Sequence, residues 1–316
     1  MKIIVLSIIL LFSLNFDIYS QKVESVSEFG RTLDPKNFEF GSINDIRVVE
    51  DKIYVLDTIL KKVHLLKLES ENIVRVGEIE IQRGNGPGEL NELSVLAINE
   101  NYLAIADARS RRIVIFDDDS NLIGQFSTRF RPTNLHLISE KNRVLITGFW
   151  PTVYDKIIHI FDFNGNEVST YIERPSNWME VARTGNFEKV LPDTDYFYVS
   201  YPEPVKIEKY DWNGELIDSY VNSESDNNIQ ADGRILRIRQ RIMDLNFWEG
   251  KILALVRLDD EYSIDIYDKE LNLINKISGD DLETDHASTM RVISDDYFLI
   301  RQIGQIPYLR LYKIDH

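Results

Sequence analysis

Beyond residue 40 the chain is a succession of short apolar runs separated by turn residues. Runs of this kind, rich in Val, Ile, Phe and Tyr and bounded by Gly, Asn and Asp, are typical of β-strands. Four consecutive strands are predicted at Leu93 to Ile98, Tyr102 to Ala106, Arg112 to Phe116 and Leu122 to Phe126. Four more are predicted at Met243 to Phe247, Ile252 to Val256, Ser263 to Tyr267 and Leu273 to Ile277. Apart from a weak signal near Trp178 to Ala182, no helical period of useful length is present, so the pattern predicts an all-β protein.

One motif recurs about every 45 to 57 residues: an aromatic side chain, an acidic residue and a polar turn follow one another. The recurring positions are Phe116, Phe161, Tyr210, Tyr267 and Tyr312, with Leu66 at the matching place of a first unit. A four-stranded sheet repeated at this spacing buries both faces only when its neighbours stack against it. We therefore predict a six-bladed β-propeller of four-stranded antiparallel blades, forming a single domain over residues 21–316.

The sixth unit contains only three strands before the chain ends. We expect the segment from Val23 to Leu33 to supply the missing outer strand, because that pairing closes the ring and covers an exposed sheet edge.

The first twenty residues differ in composition from the rest of the chain. Lys2 precedes an almost wholly apolar run from Ile3 to Phe16, which is typical of a signal peptide over residues 1–20. The run is shorter than the ~20 residues that a membrane-spanning helix needs. We therefore expect an exported protein, periplasmic or secreted, with no integral membrane segment after signal cleavage.

The second unit resembles a known repeat. The stretch Gly84-Asn85-Gly86-Pro87-Gly88-Glu89-Leu90, followed by the strand pair that ends in Asp107 and Asp117, looks like an NHL repeat. The same loop also resembles the six-bladed propeller proteins that Bacteroidetes-type bacteria export. This resemblance implies the propeller architecture and that Asp57 and Asp107 bind loop amides or the neighbouring Lys62 and Arg112. It implies little about chemistry.

Composition excludes several classes of function. The chain has 36 Lys and Arg against 52 Asp and Glu, a formal net charge of −16, and this repels phosphate backbones. Nucleic acid is therefore excluded as a partner. The chain has no Cys, which removes disulfides, thiolate zinc sites and Cys nucleophiles.

The loops between blades, and those joining the second and third strands within a blade, fall on the same face of a propeller and are the long ones here. Long loops on one face of a rigid scaffold are where binding usually occurs. Aromatic and Arg side chains are typical of binding hot spots. The predicted ligand-binding residues on this face are Trp150, Tyr154, Trp178, Tyr201, Arg257 and Arg301.

The innermost strands begin with oxygen-bearing side chains that would converge on the axis: Asp45, Glu92, Asn134 and Asp244. Ca²⁺ takes six to eight oxygen ligands, so these four residues are a candidate calcium site. Such a ring is similar to that of the calcium-dependent lactonase and paraoxonase propellers, in which the metal polarises an ester carbonyl.

Two hypotheses follow. The favoured one is a recognition module without catalytic activity that binds a peptide, a glycan or a partner protein on the long-loop face. The alternative is a calcium-dependent hydrolase or lyase with its site at the channel mouth. The sequence does not distinguish the ligand or the oligomeric state.

Overall fold

The predicted four-strand units are sheets in which each strand pairs antiparallel with the next. The computed structural model describes residues 21–31, 38–138, 142–149, 155–178, 181, 188–222, 229–232, 235–282, 284, 286–304 and 306–315. The predicted signal peptide, residues 1–20, lies outside the described residues.

The first three blades follow one another along the chain. Blade 1 contains β2 (Ile43–Val49), β3 (Lys52–Asp57), β4 (Lys62–Glu69) and β5 (Asn72–Glu80). Blade 2 contains β6 (Leu93–Ile98), β7 (Tyr102–Asp107), β8 (Arg112–Asp117) and β9 (Leu122–Ser127). Blade 3 contains β10 (Arg131–Ile138), β11 (Arg143–Phe149), β12 (Lys156–Asp162) and β13 (Glu167–Glu173).

The remaining blades contain two additions that the sequence pattern did not predict. Blade 4 contains β14 (Lys189–Pro192), β15 (Tyr196–Pro202), β16 (Val205–Asp211) and β17 (Leu216–Val221). A hairpin of β18 (Ile229–Asp232) and β19 (Ile235–Ile238) lies in the connection to blade 5. Blade 5 contains β20 (Gln240–Trp248), β21 (Lys251–Leu258), β22 (Glu261–Tyr267) and β23 (Leu273–Ile277), and a short helix α1 (Gly279–Leu282) follows it. Blade 6 contains β24 (Ala287–Val292), β25 (Tyr297–Gln302) and β26 (Tyr308–Ile314).

The ring is closed by the N-terminal strand β1 (Val23–Phe29), as the sequence predicted. It pairs antiparallel with β26, from Val23 opposite Ile314 to Phe29 opposite Leu309. Glu28 and Arg310 form a partly buried ion pair across this pairing, with 2.6 Å between carboxylate oxygen and guanidinium nitrogen. Blade 6 is therefore assembled from both ends of the described chain.

The core is divided among the interfaces between neighbouring blades. Among the described residues, six clusters of buried apolar side chains are present, and each joins two adjacent blades, including blades 6 and 1. The recurring aromatic positions lie in the third strand of their blades, as expected, and Phe298 stacks on Tyr312 with 5.0 Å between ring centroids. Since every blade is buried against two others, the protein is a six-bladed all-β propeller.

Candidate functional site at the mouth of the channel

The innermost strands share a β-bulge near their first residues. The pairing register shifts at this position in blades 1, 2, 3, 5 and 6, so one residue in each strand stands outside the ladder. A bulge re-aims the side chain of its extra residue. All five extra residues line one cavity of about 650 Å³: Asn44, Ser94, Thr133, Met243 and Ser288. This cavity is the mouth of the central channel, and it opens on the long-loop face.

Side chains two residues apart along an inner strand point to the same side. The residue after each bulge therefore forms an upper channel layer that contains Asp45, Asn134 and Asp244, with Lys189 at the equivalent place of blade 4. Two residues further along, Arg47, His136 and Arg291 form a deeper layer. Both layers contain charged groups that the ring brings together from distant parts of the sequence.

The predicted calcium ligands of blades 1, 3 and 5 link each of those blades to the next one. Asp45 accepts a hydrogen bond from the Leu96 amide at 3.0 Å, and Asp244 accepts one from the Met290 amide at 3.1 Å. The Asn134 amide donates to the Glu188 carbonyl at 2.7 Å. Since each bond crosses from one blade to its neighbour, these three residues hold the inner strands together.

Two arginines of the deeper layer neutralise the channel carboxylates. The Arg47 guanidinium lies 3.1 Å from an Asp45 carboxylate oxygen and donates to the Leu96 carbonyl at 2.9 Å. Arg291 pairs with Asp244, lies 3.6 Å from Asp45 and donates to the Ile46 carbonyl at 2.6 Å. These two arginines are structural, because their donors are already bound.

The predicted calcium ligands do not come together as a set. Glu92 lies at the rim with about half of its side chain exposed, and its carboxylate lies 3.2 Å from Arg131. Within the described ranges, no group of three or more His, Asp or Glu side chains is arranged to hold a metal ion. The oxygens of Asp45 and Asp244 accept amide and guanidinium donors, a setting that does not suit a divalent cation. The calcium site and the calcium-dependent enzyme stay predictions that this geometry does not favour.

The cavity is cationic although the protein is acidic. Six basic side chains line it against two carboxylates, Asp45 and Asp244: Arg47, Arg131, Lys189, Arg241, Arg291 and Arg301. The whole chain has a net charge of −16. The channel mouth is therefore a local region of positive electrostatic potential on an acidic protein.

Three of these basic side chains form no direct ion pair with a described residue, although Asp45 and Asp244 lie close enough to act on Lys189 and Asp45 on Arg301. Among the residues that the structure describes, Lys189 forms no ion pair, and the buried Nε atoms of Arg241 and Arg301 have no hydrogen-bond partner. Arg301 does donate from a terminal nitrogen to the Asn44 carbonyl, at 3.1 Å. The buried hydroxyl of Ser288 in the same cavity is also unpartnered within the described chain. These groups are donors available to a ligand.

The electrostatic environment of the cavity follows from burial. Burial lowers the pKa of the Lys189 ammonium, and it also lowers the pKa of the Arg241 and Arg301 guanidinium groups. Burial, together with the positive charges of Arg47, Arg291 and Lys189, lowers the pKa of His136 well below its ordinary value. His136 is therefore neutral at physiological pH, and the positive charge of the cavity comes from Lys and Arg.

The structure locates two of the four aromatic residues that the sequence predicted to bind a ligand. Trp150 and Tyr154 lie outside the described residues. Trp178 and Tyr201 are buried, with 4% and 2% of their surface exposed, and this burial does not favour their predicted role in ligand binding. Trp178 stacks on Phe149 with 5.5 Å between ring centroids. Both rings belong to the apolar cluster between blades 3 and 4, because their large apolar area is more stable out of water.

The two predicted arginines occupy different places. Arg301 lines the cavity, as expected for a binding residue of this face. Arg257 lies outside the cavity lining, pairs with Asp260 at 2.9 Å and lies over the Tyr262 ring. Arg301 is therefore the predicted residue that best fits a ligand-binding role.

Hydrogen bonds within the protein fix the conformation of the Gly-rich loop of the second unit. The Glu89 carboxylate accepts a hydrogen bond from the Gly86 amide at 2.8 Å, and the Arg112 guanidinium donates to the carbonyls of Asn85 and Gly86. Asp107 accepts from the amides of Asn91, Arg109 and Ser110, which agrees with the resemblance-based expectation. Arg112 does not pair with Asp107 because the loop carbonyls bind it.

Sequence reasoning missed Arg47, Lys189, Arg241 and Arg291. The signal was present, because the first apolar run of each unit is its innermost strand and every second residue of it faces the axis. Because Arg47 lies two residues after Asp45, this alternation identifies it as another residue that faces the axis. It does not locate the bulges, which decide which residues turn into the mouth.

Comparisons with known proteins agree with this architecture. A sequence-family model described as a 6-bladed β-propeller matches residues 33–145. No curated protein matches the chain in sequence. A Bacteroides fragilis protein inferred to be exported is structurally similar, with 14% identity and a TM-score of 0.62 over 93% of this chain and 96% of that one. The β-propeller domain of Cps50 (Swd1) from Myceliophteria thermophila is also similar, with 12% identity and a TM-score of 0.53 over 93% of this chain and 100% of that one.

These likenesses show the fold alone, since the identities are low. They define the class of protein as a six-bladed β-propeller. In the described part of the chain, helices fall short of the length and hydropathy that a bilayer crossing requires.

Proposed function

We propose that this protein is an exported recognition module that binds its ligand at the mouth of the central channel, on the long-loop face. The observation that carries the proposal is the cavity of about 650 Å³, into which five inner-strand bulges turn their extra residues. This volume falls within the range of about 300 to 1,000 Å³ that is usual for small-ligand sites.

Rigidity of the surroundings also supports a binding role. The bonds from Asp45, Asn134 and Asp244 fix the inner strands on which the lining residues stand. A site built on strands that are already positioned loses little conformational entropy when a ligand binds. Export is supported by the apolar segment before residue 21 and by the similarity to the Bacteroides fragilis protein inferred to be exported.

The proposal is tested by a substitution that fills the cavity at the channel mouth with a large side chain. Ser288 stands at a bulge and lines the cavity, so Ser288→Trp places a large ring there. Binding of the purified protein is measured on an array of glycans and short peptides. We expect the wild-type protein to bind one class of probe, and we expect Ser288→Trp to reduce that binding at least tenfold.

The matched control is Asn101→Trp, an exposed residue in the turn between β6 and β7 on the opposite face. It should bind as the wild type does. If Ser288→Trp folds and binds every probe as well as the wild type, the channel mouth is not the recognition site.

A further inference from the structure

The basic side chains of the mouth fall into two groups that differ in their partners. Arg47 and Arg291 pair with the channel carboxylates and bind carbonyls of neighbouring blades. Lys189, Arg241 and Arg301 face the same cavity and form no direct ion pair with a described residue, although the negative charges of Asp45 and Asp244 act on Lys189 and that of Asp45 acts on Arg301. The first group neutralises the channel carboxylates and links neighbouring blades. Among the described residues, the second group adds one link between blades, from Arg301 to the Asn44 carbonyl.

We infer that the ligand of the channel mouth is a small organic anion that carries one or more carboxylates, of the size of a tricarboxylic acid or an acidic monosaccharide. The inference rests on the proposed function and names the chemistry of its ligand. Lys189, Arg241 and Arg301 bind its oxyanion groups, and the Ser288 hydroxyl donates a further hydrogen bond.

The geometry and the charge of the lining side chains both favour an anionic ligand. Arg presents several N–H donors in a planar fork that matches a carboxylate. The Nε atoms of Arg241 and Arg301 are shielded from water and lack an acceptor in the described structure. A buried charged donor without an acceptor is unfavourable, so an anion that reaches these atoms supplies the missing bonds.

The charge of the whole molecule argues for a small anion over a long polyanion. A nucleic acid or another long polyanion laid across this face would meet the negative charge that the chain carries overall, −16. An anion small enough to enter the cavity of about 650 Å³ meets a lining in which six basic side chains outnumber the two carboxylates, Asp45 and Asp244. Arg131 lies half exposed at the rim, where it attracts an approaching anion.

The experiment compares two sugars that differ only in one carboxylate. The melting temperature of the purified protein is measured with galacturonate, with galactose and with citrate, each up to about 10 mM at an ionic strength held constant with chloride. We expect citrate and galacturonate to raise the melting temperature and galactose to leave it unchanged. Arg241→Met and Arg301→Met each remove one positive charge at similar volume, and each should weaken the binding of citrate at least tenfold.

The control is Arg83→Met, because Arg83 is exposed on the same face but does not line the cavity. It should bind citrate as the wild type does. A second measurement separates ligand binding from folding: without ligand, Arg241→Met should melt no lower than the wild type, since the charge that it removes lacks a partner.

Two outcomes overturn the inference. One is that neither anion raises the melting temperature at about 10 mM, and the other is that galactose binds as tightly as galacturonate. If a neutral probe on the array binds the wild type and Ser288→Trp abolishes that binding, the proposed function stands while the anionic ligand is wrong. If Ser288→Trp leaves all probe binding intact, the proposed site itself is wrong.

Discussion

At the scale of single residues, charged side chains of the channel have two separate tasks. Asp45 and Asp244 accept hydrogen bonds from amides of the next blade and pair with Arg47 and Arg291, so they stabilise the fold. Arg241 and Arg301 have unsatisfied Nε atoms within the described structure, so they fit a ligand. Residue type alone does not separate these tasks, because many of the partners, such as the Leu96 amide for Asp45 and Asp244 for Arg291, come from other blades.

This division predicts unequal effects for two of the sequence-predicted calcium ligands. Asp244→Ala removes the carboxylate that neutralises the buried Arg291, and it should lower the free energy of unfolding by about 3 to 5 kcal/mol. Glu92→Ala removes an exposed ion pair with Arg131 and should change the free energy of unfolding by about 1 kcal/mol or less. Urea unfolding of both variants measures the difference.

The response of the melting temperature to calcium tests the opposite hypothesis, in which these residues bind a metal ion. If these residues were metal ligands, calcium would raise the melting temperature of the wild type, and both substitutions would abolish that rise. Equal destabilisation by the two substitutions would contradict the structural role that we assign to Asp244.

At the scale of elements, the turns between the third and fourth strands repeat one device. The side chains of Asp117, Asp162, Asp211 and Asp268 each accept a hydrogen bond from the amide of the residue four positions later. The sequence motif of an aromatic followed by an acid marks these turns correctly, because an Asp side chain satisfies its own turn amides locally. Local chemistry of this kind is why the blade pattern is visible in the sequence.

The turns predict a loss of stability in acid. Side-chain and backbone donors of Asn166 lower the pKa of Asp162, and the Glu215 amide lowers the pKa of Asp211, below the ordinary value of 3.8. A carboxylate with a lowered pKa in the folded state contributes stability above its unfolded pKa, and this stability is lost as pH falls through the folded pKa. The double variant Asp162→Asn, Asp211→Asn should therefore lose less stability than the wild type between pH 7 and pH values below 3.8.

The measurement is the urea midpoint as a function of pH. Asp118→Asn is the control, because Asp118 is exposed and its side chain is not hydrogen-bonded to any described residue. If the urea midpoint of the double variant falls in acid as steeply as that of the wild type, these turns do not govern stability in acid.

At the scale of the whole molecule, closure depends on a strand far from its partner in the sequence. β1 completes blade 6, and Val23 is buried in the cluster between blades 5 and 6. The Ser27 hydroxyl also donates to the Glu71 carbonyl of blade 1 at 2.9 Å. The strand therefore joins the first blade to the last.

Deletion of residues 21–31 should lower the free energy of unfolding by several kcal/mol, a large part of the ~5 to 15 kcal/mol that is usual for folded domains. The reason is that β26 loses its ladder partner and becomes an exposed edge. Urea unfolding measures the loss. Arg31→Ala, which removes an exposed pair with Glu28 and a contact with the Tyr308 ring but leaves the β1–β26 ladder intact, should change stability by about 1 kcal/mol or less and serves as the control. Unfolding of the deletion variant at the wild-type urea concentration would show that β1 is not needed for closure.

The sequence by itself determined the blades and the closing strand. Strand period, turn residues and the recurring aromatic are local signals, and hydrogen bonding within a hairpin needs only neighbouring residues. Observed strands such as Leu93–Ile98 and Leu273–Ile277 therefore coincide with the predicted ones.

Only the tertiary structure decided the site. Arg47, Lys189, Arg241 and Arg301 are separated by dozens of residues along the chain and meet because six innermost strands converge on one axis. The bulges then turn residues such as Ser288 into the mouth, and packing between blades 3 and 4 removes Trp178 and Tyr201 from the surface. A charge acquires its role from its partners and its solvent exposure, and both depend on contacts between blades.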